Sequence, residues 1–128
     1  MGKPYATPLR IALIACLLLA ACVAEVRRVP SADPVFSGNP RFIRIARDLS
    51  VELHTGYHRT LKQDSSWTYI GSIAQGEVFR SSGDALTVEG AHVHEAYLVV
   101  SGGRLVGFYL PVEKAFAPLA TQPVLPTK

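Results

Sequence analysis

Eleven consecutive residues, Ile11 to Ala21, are apolar without a break, and no later stretch repeats that pattern. Beyond residue 40 the chain changes to short alternations and short apolar runs separated by turn residues, the pattern of strands rather than helices. Ile43, Ile45, Leu49, Val51 and Leu53 share one alternating face, interrupted by Arg47. Phe42, Ile45, Ala46 and Leu49 also fit helical spacing, with Asn39 as a cap and Pro40 at the first helical position. A strand is expected over Leu49–His54, while Pro40–Arg47 stays open between helix and strand. Thr55-Gly56 makes a turn, Tyr57–Lys62 a return strand, and Gln63–Ser66 a further turn.

Trp67, Tyr69 and Ile73 alternate with Thr68 and Ser72, although Ile70 faces the other way. Gln75-Gly76 turns the chain into Glu77–Ser81, and Ser82-Gly83-Asp84 turns it again into a short strand over Ala85–Val88. Glu95–Val100 and Leu105–Leu110 flank Ser101-Gly102-Gly103-Arg104, where paired glycines supply the positive φ angles of a tight hairpin. Both strands of that hairpin are apolar on both faces, so it belongs in the middle of a core or under a cover. Pro111 ends the second strand because it has no N–H for a ladder. Val112–Phe116 is expected to form a single turn packed on the sheet. The fold class is therefore mainly β, a small antiparallel curled sheet or barrel-like domain over residues 41–118, after an N-terminal signal helix. Residues 22–40, with three prolines and no sustained period, read as a flexible tether. Residues 119–128 read as a loose tail.

Charge changes this picture little. The formal net charge is +3, but Lys3 and Arg10 precede residue 22 and all ten acidic residues follow it. The remainder carries eleven basic and ten acidic side chains, with no dense Lys/Arg patch of the kind that tracks a phosphate backbone. Nucleic acid is not an expected partner. Both cysteines, Cys16 and Cys22, lie at the start, so the β domain has no disulfide and must rely on its core. A domain of this length hides only about 60–65% of its unfolded surface, enough for one core.

The opening has the three parts of a secretory signal: a basic start, an apolar centre and small residues at its exit. The apolar run falls short of the ~20 residues of a permanent membrane span. Leu19-Ala20-Ala21-Cys22 resembles the lipobox of bacterial lipoproteins. The resemblance implies cleavage between Ala21 and Cys22 by signal peptidase II, a diacylglycerol on the Cys22 sulfur, and acylation of the new amino terminus. Cys16 competes poorly, because it sits inside the apolar run. Several acyl chains make such attachment effectively permanent. Val23, where a retained inner-membrane lipoprotein has Asp, favours the outer membrane facing the periplasm if the source is Gram-negative. Arg27-Arg28 would touch anionic head groups or remain as solvated charges on the tether. The run from Trp67 through Gln75-Gly76 to Glu95–Leu98 and Gly107–Pro111 resembles small bacterial envelope lipoproteins, which implies no particular activity.

Candidate chemistry centres on His92-Val93-His94-Glu95. On a strand, His92 and His94 project to one face about 6.5 Å apart, a spacing that can close on one metal. His54, His58 or Glu77 would have to supply further ligands; the plainer reading is a pair of hydrogen-bonded histidines beside a strand. Cupin-type metal proteins also begin with a His-x-His pair, but the glycine and acidic residues that accompany theirs do not follow here. Glu77, Glu89, Glu95 and Glu113 are too far apart in sequence to be paired for acid/base work. No serine has a nucleophile-elbow frame, and Gly102-Gly103 leads into no helix that could bind phosphate. Tyr57, Trp67, Tyr69, Phe79, Tyr97, Phe108 and Tyr109 form either a core or, where some line a groove, a surface for sugar rings or peptides. The expected role is thus non-enzymatic: an envelope lipoprotein whose β domain binds or supports an envelope protein or peptidoglycan. The alternative is a periplasmic small-ligand or metal-binding module using His92 and His94. No cofactor is expected beyond the lipid on Cys22.

Overall fold

The paired glycines close the hairpin as their sequence requires. Gly102 and Gly103 adopt φ of 58° and 73°, and Ser101 pairs with Arg104 across them. A computed structural model describes Gly2 and residues 24–128. The signal segment 1–21 apart from Gly2, with Cys16, Cys22 and the cleavage point, lies outside the described residues. These form strands β1 (Val29–Pro30), β2 (Phe42–Arg44), β3 (Leu49–Glu52), β4 (His58–Leu61) and β5 (Ser66–Ile73). They continue with β6 (Gly76–Ser81), β7 (Leu86–Glu89), β8 (Val93–Ser101), β9 (Arg104–Leu110) and β10 (Ala115–Pro118). The main sheet is antiparallel and runs β1-β10-β9-β8-β6-β5-β2, while β3 and β4 make a separate hairpin. Its end strands do not pair with each other, so the curled sheet stays open rather than closing into a barrel.

β8 is long enough to serve two neighbours along one edge. Leu98–Val100 pair with β6, and Val93–Ala96 pair with β7. Two bulges bend the sheet. Ile70 is the extra residue of β5 between the Tyr69 and Gly71 pairings, and Val106 is the extra residue of β9 between the Leu105 and Gly107 pairings. A bulge turns the following side chains to the other face. That is how Leu105, Phe108 and Leu110 all reach the main core with Ile45, Leu61, Trp67, Tyr69 and Leu98. Ile70 and Val106 instead join Val78, Val99, Tyr109 and Phe116 on the opposite face. Gly107 is required there, since a Cβ would lie 2.4 Å from the Ala117 carbonyl oxygen and 2.8 Å from the Phe116 ring.

One open reading is decided, and three expectations need correction. Within Pro40–Arg47 the short strand β2 and the isolated bridge of Ile45 to Thr127 follow the alternating face: Ile45 is fully buried, while Phe42, central to the helical pattern, is 67% exposed. Val112–Phe116 is not one turn. The turn ends at Lys114, whose φ is 50°, and the chain continues directly as β10.

The segment read as a tether packs against the domain. Val26 is buried in the main core, β1 pairs with β10, and the Tyr109 hydroxyl donates to Asp33 at 3.1 Å. Val35 and Ser72 then exchange two backbone hydrogen bonds of 2.9 Å. The tail is tied down as well, with Leu119 and Leu125 in the core. Its prolines cannot donate, but they accept: Pro123 from the Leu105 N–H at 2.9 Å and Pro126 from the Ala46 N–H at 2.7 Å. The tail thereby connects the start of β9 to the edge at β2.

Candidate functional site

Alternation along β8 sends Ala96 and Leu98 into the core, and by the same period it sends His94 inward. His94 is 5% exposed, the one buried polar or charged side chain among the described residues. A polar ring in that position must find partners or lose much of its hydration energy. It has two. The turn after β9 brings Glu113 to within 2.6 Å of Nδ1, and the segment entering the domain brings Glu25 to within 3.0 Å of Nε2. The second oxygen of Glu25 lies 2.5 Å from Nδ1 of His92, an exposed ring one turn of the alternation away. Glu25 also accepts the Val26 N–H at 2.8 Å.

Gly90 lets this happen. A Cβ there would stand 2.8 Å from the Val26 nitrogen and 2.9 Å from the Ala24 carbonyl oxygen, so only a glycine allows the entering segment to lie against the β7–β8 loop.

Ionised carboxylates only accept hydrogen bonds, so His94 donates from both ring nitrogens and is held as an imidazolium. Burial alone would lower its pKa, but the hydrogen bonds to Glu113 and Glu25 outweigh burial and raise it. Burial pushes Glu113 upward, but its bond to His94, a backbone hydrogen bond and the charges of His94 and Arg28 together outweigh burial and leave it lowered. Glu25, hydrogen-bonded first to His92 and then to His94, is lowered to about 2. The second oxygen of Glu113 is buried without a partner, which makes this carboxylate dependent on His94.

The structure therefore brings His92 and His94 together, with ring centroids 6.4 Å apart, but around a carboxylate. Both nitrogens of His94 are engaged, and a metal ligand needs one lone pair left over. Among the described residues no group of three or more His, Cys, Asp or Glu side chains is placed to hold a metal ion. The other expected contributors lie elsewhere: His58 faces Glu52 at 3.8 Å, Glu77 pairs with Arg41, and His54 is exposed. Sequence reasoning missed Glu25 because it sits in a proline-rich segment read as a tether. It named Glu113 only as one of several scattered acids. The inward position of His94 in an apolar alternation was the signal that some polar partner must come to it.

An open cleft lies at the other end of β7, with a volume of about 330 Å³. Arg59 of β4 and Lys62 just after it line the cleft together with Ser65, Ser66 and Asp84, and the buried Leu61 and Trp67 border it. Of the aromatic residues considered for a groove, Trp67 alone lines this cleft. Trp67, Tyr69, Phe79, Phe108 and Tyr109 are core, and Tyr57 and Tyr97 are half-buried. No helix among the described residues is long and apolar enough to cross a membrane. No family model, curated protein or solved structure matches this chain.

Proposed function

We propose that this chain is a lipid-anchored protein of the cell envelope, cleaved between Ala21 and Cys22 and acylated on Cys22, whose β domain binds an envelope partner. The observation that carries this reading is Leu19-Ala20-Ala21-Cys22 at the end of an unbroken apolar run with a basic start. Val23 favours the outer membrane in a Gram-negative cell.

For the partner, the cleft beside β4 is the best candidate surface. Its Arg59 and Lys62 suit carboxylates, and the hydroxyl of Ser66 suits sugar or peptide groups, whereas that of Ser65 is engaged by the Lys62 carbonyl and the Trp67 indole. Peptidoglycan presents all of these. A chain with Cys22→Ser should remain an unlabelled precursor when cells are fed labelled palmitate, and the wild-type chain should take up label. The soluble domain should co-sediment with purified cell-wall sacculi, and Arg59→Ser with Lys62→Ser should abolish that binding. Label retained by the serine variant would refute the anchor. Failure to bind sacculi, with no protein recovered from crosslinked envelopes either, would refute the binding role.

A further inference from the structure

The lipid-bearing residue and the first packed residue are very close in sequence. Three peptide units separate Cys22 from Glu25, a reach of at most about 11 Å when fully extended. A domain of this size is roughly 30 Å across. Glu25 is fastened to His92 and His94, and Val26 is buried, so no slack exists beyond that point. Whatever surrounds Glu25 must therefore lie next to the lipid head groups.

Three pieces of chain surround it: the entering segment 24–28, the β7–β8 loop at Gly90–His92, and the turn Pro111–Lys114. Their exposed side chains suit a bilayer surface. Val93 is 62% and Val112 77% exposed, both large apolar side chains standing in solvent. Arg27 and Arg28 are exposed beside them. The acids at this end are partly consumed, Glu25 and Glu113 by His94, while Lys114 faces Asp33 at 3.5 Å. Glu89 and Glu95 remain as nearby negative charges on β7 and β8.

We propose that this end of the domain lies on the membrane surface, Arg27 and Arg28 among anionic head groups and Val93 and Val112 in the interfacial layer, held there by the docking of Glu25 onto His92 and His94. The domain is thus oriented rather than hung on a tether, and its Arg59–Lys62 cleft, at the other end of β7, opens away from the bilayer. The inference rests on the lipid anchor proposed above.

Acylation blocks the Cys22 sulfur and cleavage removes Cys16, so single cysteines introduced elsewhere can be labelled cleanly. Val93→Cys, Val112→Cys and Gly83→Cys, each carrying a nitrobenzoxadiazole dye, would be reconstituted as full lipidated protein in phosphatidylethanolamine–phosphatidylglycerol vesicles containing spin-labelled lipid. A mass spectrum of each sample establishes that Cys22 carries lipid. The dyes at 93 and 112 should be blue-shifted and quenched several-fold more strongly than the dye at 83, on the β6–β7 turn. Gly90→Val, which drives a side chain into Val26 and Ala24, should undock the segment and erase the difference. Equal quenching at all three positions in lipidated protein would overturn the orientation and leave the anchor standing. Protein without lipid on Cys22 would overturn both.

Discussion

His94 occupies a position that the alternation of β8 would give to an apolar residue, and the chain spends two carboxylates from distant segments to keep it there. The pH dependence of this arrangement follows from the directions of its shifts. Because the pKa of His94 is raised by folding, its contribution is complete below the ordinary value of 6.5 and disappears as pH rises through the raised value. Glu113 and Glu25 are lowered, so their contribution is present above the ordinary 4.5 and disappears as pH falls through the folded values, about 2 for Glu25.

The clamp is at full strength between those ordinary values, about pH 4.5 to 6.5. The groups that face His94 are Glu25 from the entering segment and Glu113 from the turn, with His92 across Glu25 and Arg28 acting on Glu113. His94→Gln strands the buried Glu113 oxygen and should destabilise by about 3 kcal/mol at pH 5.5, the scale of a broken buried pair. Urea denaturation at pH 5.5 and 8.5 should show the gap between wild type and variant narrowing at the higher pH. A gap independent of pH would mean that His94 is not charged in the fold.

At the scale of elements, the bulges at Ile70 and Val106 and the two terminal segments decide which side chains share the core. The hairpin of β8 and β9 was legible because Gly102-Gly103 and flanking apolar runs leave one solution, and Leu49–Glu52, Ser66–Ile73 and Gly76–Ser81 fall close to their expected strands. The bulges were not legible, although Ile70 facing against its neighbours was the visible trace of one. The tail was misread for a definite reason. Pro118, Pro123 and Pro126 suggest an unpaired chain, yet Pro118 ends β10 opposite Gly107, the carbonyls of Pro123 and Pro126 accept hydrogen bonds, and Leu119 and Leu125 join Leu105 in the core. Leu125→Ala should cost about 2–4 kcal/mol, the range for a buried leucine. Chemical denaturation of the variant checks this, and a loss within a few tenths of a kcal/mol would show that the tail is not part of the core.

Across the whole molecule, the proposed anchor rests on the opening residues, and the proposed orientation on how the first packed residues dock. The second property could not be read from sequence. It depends on Glu25 meeting His94 across 69 positions and on Gly90 leaving room for the backbone. The candidate pair His92 and His94 is legible in the sequence as a pair, but its partner is not, because a metal and a carboxylate satisfy the same spacing. The β domain places the His94 cluster and its Arg59–Lys62 cleft at opposite ends of β7, an arrangement that, under the proposed anchoring, would hold a partner away from the bilayer. All of this depends on the lipid. Intact-mass analysis of the protein extracted from membranes tests it most directly. A lipid anchor requires a chain that begins at Cys22 and carries a diacylglycerol on its sulfur, with or without an N-acyl group. An amino terminus upstream of Cys22, or a free Cys22 thiol, would contradict it.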